Sequence, residues 1–214
     1  MLFGAPLIIL ILVLVFQIIR CFGGLFDSIS RRFDLPRFKL SNTWKAESLK
    51  IIKSVFLFSV VLILLLLFYS SYRQYQIWSH GQIARFLLSP YNQTYFIFYV
   101  AFRFFLPYLI SFLAGILFLL LSKYFNRKYE NRFFCPEEPY LAALSIFLTG
   151  YPGWLIYLTA LILSYLFLHF VSSIISSRRG GRIPLYYLWI PVAIFVILIQ
   201  KWLETLPLWS LLKI

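Results

Sequence analysis

The sequence predicts an all-α fold, a polytopic integral membrane helical bundle with about six transmembrane helices. Three observations predict it. The chain has 214 residues, 62% of them apolar, a length that alone would allow one or two soluble domains. It is the distribution of the apolar residues that rules these out. They occur in long runs without a polar face, and backbone in hydrocarbon must then bond within its own segment, as a helix does. Lys and Arg gather in alternate loops, which is the pattern of the positive-inside rule.

The runs follow in chain order. A helix needs about 20 apolar residues to cross the hydrocarbon core. Residues 5–22 form the first run, and it is expected to be a retained span. It lacks a basic n-region and a small-residue cleavage site, and it is long for the apolar part of a signal peptide. Residues 51–69 form the second run. Residues 95–121 are long enough to span with room to spare, or form two pieces broken near Arg103 and Pro107, so residues 73–121 hold one span or two. Residues 139–150 and 154–171 are two further spans, separated by Tyr151-Pro152-Gly153, and residues 184–203 are the last. Residues 206–214 are short and amphipathic, which suits the interface. The loops are too short for a soluble domain. The chain is therefore expected to be one membrane domain, 1–214. Residues 1–50 hold the first span and a basic loop, 51–121 the middle spans, and 122–214 a C-terminal three-span unit.

The net charge of +13 is explained by topology. Residues 20–53 carry eight Lys and Arg, residues 122–138 carry four, and residues 172–183 carry three. Residues 70–94 carry two, and the turn at 150–153 carries none. Loops one, three and five are thus predicted to be cytoplasmic and both termini outside. Membrane lipid is the expected partner of this charge, and nucleic acid is not. Trp154, Trp189, Trp202 and Trp209 are expected in an aromatic belt, and Lys201 and Glu204 are expected to pair at i,i+3.

The inventory for chemistry is small. The carboxylates are Asp27, Asp34, Glu47, Glu130, Glu137, Glu138 and Glu204, and none lies mid-span. Ion-coupled transporters usually place carboxylates inside the membrane, so the transporter class loses weight. Arg103 is the one charge well inside an apolar run, and it is expected to reach the headgroups. His169 has no His, Cys or carboxylate near it at helical spacing and reads as interfacial. Cys21 and Cys135 have no metal-ligand spacing, and neither a cofactor nor a metal is expected. No G-x-S-x-G or H-E-x-x-H motif is present. The most unusual stretch is Cys135-Pro136-Glu137-Glu138-Pro139, two adjacent carboxylates at the mouth of a helix. Acids there favour the helix dipole, and Pro139 suits the first turn.

At this stretch the chain resembles the type IV prepilin peptidases, the leader peptidases of the GxGD type of intramembrane aspartic peptidase. Their pattern S-R-G-x-x-M-G-x-G-D-x-x-L-A-A-L-x-G-x-x-L-G-W-P is followed by a span, a basic loop and I-P-x-x-P. Here Ser122-Lys123 leads to Glu138-Pro139-Tyr140-Leu141-Ala142-Ala143-Leu144, then Leu148-Thr149-Gly150-Tyr151-Pro152-Gly153-Trp154, then Arg178-Arg179-Gly180-Gly181-Arg182-Ile183-Pro184. Upstream, Gly23-Gly24-Leu25-Phe26-Asp27-Ser28 is similar to the family's G-S-F-L-N-V, and Ser70-Ser71-Tyr72-Arg73 to its first catalytic motif, Y-D-L-R. The resemblance implies a multi-pass protein of the cell membrane whose client is a pilin-like single-span protein.

The family's two catalytic aspartates are replaced. Ser71 stands at the first position and Glu138 at the second, with Glu137 in place of a flanking glycine. The family dyad activates water by pushing two close carboxylate pKa values apart, and a serine hydroxyl has no such titration near neutral pH. Glu137 and Glu138 point about 100° apart on a helix, so they do not readily share one water. The tetracysteine zinc module of many members is missing. The expectation is a catalytically degenerate relative that holds a pilin-like client. An active peptidase with unusual site residues is a second reading. An accessory or structural subunit of a membrane complex, or a small transporter using Arg103, is a third.

Overall fold

The computed structural model describes residues 4–32, 42–81, 88, 93–130, 133–175 and 185–205. Their side chains are described over 4–18, 47–81, 88, 94–130, 133–174 and 185–205. Within these residues the chain is all-helical and has the helices of a membrane protein. The elements are α1 (Gly4–Arg32), α2 (Asn42–His80), α3 (Gln93–Val100), α4 (Leu106–Lys128), α5 (Glu138–Thr149), α6 (Gly153–Ile175) and α7 (Trp189–Leu203). A π-helical turn, Ala101–Phe105, joins α3 to α4, and a 3-10 turn, Leu185–Tyr187, leads into α7.

Four stretches are long and apolar enough to cross a membrane: Glu47–His80, Thr94–Lys128, Gly153–Ile174 and Leu185–Leu203. Two further apolar helices, Gly4–Ile18 and Glu138–Thr149, are shorter than these four. The first loop differs from expectation. The helix of the first run continues to Arg32, and α2 already starts at Asn42. The basic stretch up to Arg32 is therefore part of the same helix as the first apolar run.

The middle segment is one continuous helical path. Pro107 has no N–H, and its ring clashes with the carbonyl four residues back, that of Arg103. The turn just before it widens instead of breaking: the Leu106 N–H bonds the Ala101 carbonyl, five residues back.

The stretch at 139–150 is not a full span. α5 has 12 residues, about 18 Å at 1.5 Å per residue, against a core of about 30 Å. It is the centre of the bundle, with every residue from Leu141 to Thr149 buried. α4 packs on it most closely. A Cβ on Gly115 would sit 2.9 Å from the Ala143 carbonyl oxygen, so only glycine permits this approach. Buried Ser111, Ser122 and Asn126 lie along α4 with Gly115. α2 turns the stripe Ser48, Ile52, Ser59, Ile63 and Leu67 inward, while Leu57, Phe58 and Leu65 face outward. Trp189 is 2% exposed and packs edge-on against Phe118, so it belongs to the core and not to the expected belt. Trp202 is exposed, as a belt residue should be, and Trp209 lies outside the described residues.

Candidate functional site

The mouth of α5 is built from the loop that precedes it. The Asn126 side chain clamps this loop. Its Nδ2 donates to the Phe134 carbonyl at 2.7 Å, and its Oδ1 accepts from the Phe134 N–H at 3.0 Å. The chain then turns, with the Glu138 N–H on the Cys135 carbonyl at 3.0 Å. Glu137 is the N-cap, and its carbonyl accepts from the N–H groups of Tyr140 and Leu141 at 3.1 Å each. Pro139 occupies the first turn, where its missing N–H costs no hydrogen bond.

Both carboxylates of the pair are 4% exposed. The Ser48 hydroxyl, from α2, donates to Glu137 Oε1 at 2.5 Å. The Tyr186 hydroxyl donates to Glu137 Oε2 at 3.4 Å. Glu138 turns to the backbone: its Oε2 accepts from the Cys135 N–H at 3.2 Å, and its carboxylate also accepts from the Tyr186 N–H. Burial pushes the Glu138 carboxyl above its ordinary value, and the two N–H donors pull against that shift. Tyr186 is tied further, since its carbonyl accepts from Gln17 Nε2 of α1 at 3.3 Å. Residues from α1, α2, the 133–137 loop and the turn before α7 therefore meet at the two glutamates.

Beside the pair, Tyr140 lies between two cations. Lys123 Nζ donates to its hydroxyl at 2.7 Å and sits 4.6 Å from the ring centre, and Lys53 Nζ sits 5.3 Å from it. These lysines come from two stretches predicted to be cytoplasmic.

Ser71 is not at this site. It lies on α2, 23 residues beyond Ser48 (71 − 48), which is about 35 Å along the helix axis. Its hydroxyl donates to the Leu67 carbonyl of its own helix at 2.8 Å. The structure thus brings Glu137 and Glu138 together and leaves Ser71 at the other end of the bundle. Asp27 and Asp34 lie outside the described side chains, as does Cys21. Among the described residues, no three His, Cys, Asp or Glu side chains converge as a metal set would.

Ser48, Asn126 and Tyr186 were not singled out by sequence reasoning. Ser48 begins the inward stripe of α2, which was a legible signal. Tyr186 follows Ile183-Pro184 by two residues, and nothing local marks it as a partner of Glu137.

A second concave region lies at the far end of α5. It is a cavity of about 360 Å³ whose lining includes Arg103, Tyr108, Thr149, Gly150, Gln200 and Glu204. Glu204 caps α7 and lines this cavity, and the expected Lys201–Glu204 pair does not form. No family model, no curated protein and no solved structure matches this chain.

Proposed function

We propose that this protein is a catalytically degenerate, prepilin-peptidase-like protein of the cell membrane that holds a pilin-like single-span client. The observation that carries the reading is the environment of Glu138. At the position of the family's second aspartate, its carboxylate accepts from the N–H groups of Cys135 and Tyr186 and ties two chain segments together. The position of the first aspartate is Ser71, about 35 Å away along α2. An aspartyl mechanism needs two acids close enough to share a water and to split their pKa values. A glutamate engaged with backbone donors and a remote serine suit a structural role instead. Exposed apolar side chains such as Leu163, Phe167 and Phe170 on α6 offer the kind of surface against which a single-span helix packs in lipid.

The test has two arms. Purified protein in liposomes is given a prepilin-like substrate, and no cleavage above that of Glu138→Ala is expected. Robust cleavage that is lost in Glu138→Ala refutes the degenerate reading. Photo-crosslinkers placed on α6 are expected to capture a single-span protein in cells, and failure to capture one removes the holding role.

A further inference from the structure

The cavity at the far end of α5 has a built chemistry that the glutamate pair does not explain. Its volume, about 360 Å³, suits a small ligand. Opposite charges, Arg103 and Glu204, line it without forming an ion pair with each other. Arg103 is presented by the π turn, a feature that often accompanies functional sites. Gln200 and Thr149 add neutral polar groups, over an apolar floor that includes Leu148 and Ile197.

Its depth follows from helix geometry. Arg103 precedes Lys123 by twenty residues (123 − 103) on one continuous path. That is about 30 Å, the thickness of the hydrocarbon core. With Lys123 at the cytoplasmic headgroups, Arg103 reaches the opposite headgroup layer. The Gly150 turn lies beside Tyr108, five residues further into the membrane than Arg103. Such irregular backbone is tolerated at that depth where it lines a polar cavity.

The two sides of the cavity differ in sign. Arg103 supplies positive charge and bidentate donors for a phosphate. Glu204 and the C-terminal end of α5 supply negative charge, which favours a cation. We propose that this cavity binds the headgroup of a zwitterionic phospholipid that carries a primary ammonium, phosphatidylethanolamine being the simplest. The phosphodiester lies on Arg103 and the ammonium on Glu204. A purely anionic headgroup meets Glu204 as a like charge, and a trimethylated ammonium has no N–H to donate to it. The acyl chains run towards the bilayer centre along the exposed flank of Leu109 and Leu113 on α4. The assignment is independent of the peptidase-like reading.

Native mass spectrometry of the full chain in detergent tests it. Short-chain phosphatidylethanolamine, phosphatidylcholine and phosphatidylglycerol are offered at equal concentration. About tenfold greater retention of the ethanolamine lipid is expected. Glu204→Gln is expected to bring it down to the level of phosphatidylglycerol, with Glu204→Asp retaining part of the preference. Arg103→Gln is expected to lower retention of the ethanolamine lipid. Equal retention of the three lipids by the unmodified protein overturns the proposal, and that arm depends on no variant. Unchanged ethanolamine-lipid retention in folded Arg103→Gln and Glu204→Gln also overturns it. Displacement of the lipid by equimolar free phosphoethanolamine assigns the site to a soluble zwitterion, and so overturns the lipid assignment.

Discussion

The Ser48 hydroxyl donates to the Glu137 carboxylate at 2.5 Å across 89 positions of sequence, and so joins α2 to the mouth of the central helix. Leaving a buried carboxyl group without one of its hydrogen-bond donors costs about 1–3 kcal/mol. Ser48→Ala is expected to lower stability by about that much, and Tyr186→Phe by less, because its bond to the same carboxylate is longer. Reversible unfolding in mixed detergent micelles checks both. The double variant is expected to be non-additive, since both donors serve one carboxylate.

The approach of α4 to α5 rests on one missing methyl group. At Gly115 an added Cβ would lie 2.9 Å from a backbone carbonyl oxygen, and backbone cannot swing aside as a side chain does. Gly115→Ala is expected to destabilise by about 1–3 kcal/mol, and Gly115→Leu by more. Thermal unfolding of the two variants measures this. A neutral Gly115→Ala would mean that α4 and α5 lie further apart.

Glu138 makes stability depend on pH in a defined direction. Its native carboxyl is raised above the ordinary value of 4.5 by burial. The native state then holds this proton more tightly than the unfolded state. The contribution is therefore fullest below 4.5 and is lost as pH rises through the raised native value. Denaturant midpoints measured across that window are expected to fall with rising pH. Glu138→Gln, which does not titrate, is expected to flatten the slope.

The π turn depends on Pro107. Pro107→Ala restores an N–H at that position and removes the clash with the Arg103 carbonyl, so the turn is expected to tighten to ordinary α-helix. Residues before it then rotate, and Arg103 turns away from the cavity. An Arg103→Cys probe in a chain otherwise without cysteine reports the change. Its labelling rate with an impermeant thiol reagent is expected to differ by several-fold according to whether Pro107 is retained or replaced by alanine.

The sidedness of α2 is open to the same method. Ser71→Cys is expected to react with reagent added outside, and Lys123→Cys only with reagent added inside. Cytoplasmic labelling of Ser71→Cys would reverse the orientation derived from the Lys and Arg bias.

Much of this architecture is local in origin. Run length and apolar content determine where helices form, because backbone in hydrocarbon has no alternative to bonding within its own helix. The distribution of Lys and Arg determines the predicted sides. Pro107 and Arg103 already marked the place where the long third run departs from regular α-helix, and Cys135 to Pro139 marked the mouth of α5. The tertiary structure decided the rest. Hydropathy cannot tell a helix that faces lipid from one buried among helices, since both surroundings are apolar. That is why α5 read as a span and proved to be a short central helix, and why Trp189 read as a belt residue and proved to be core. The partners of the glutamates were equally hidden. Ser48 and Tyr186 reach Glu137 from 89 and 49 positions away, and only packing brings such side chains within hydrogen-bonding distance. The same packing set Arg103 and Glu204 around one cavity, although each alone reads as an ordinary interfacial charge.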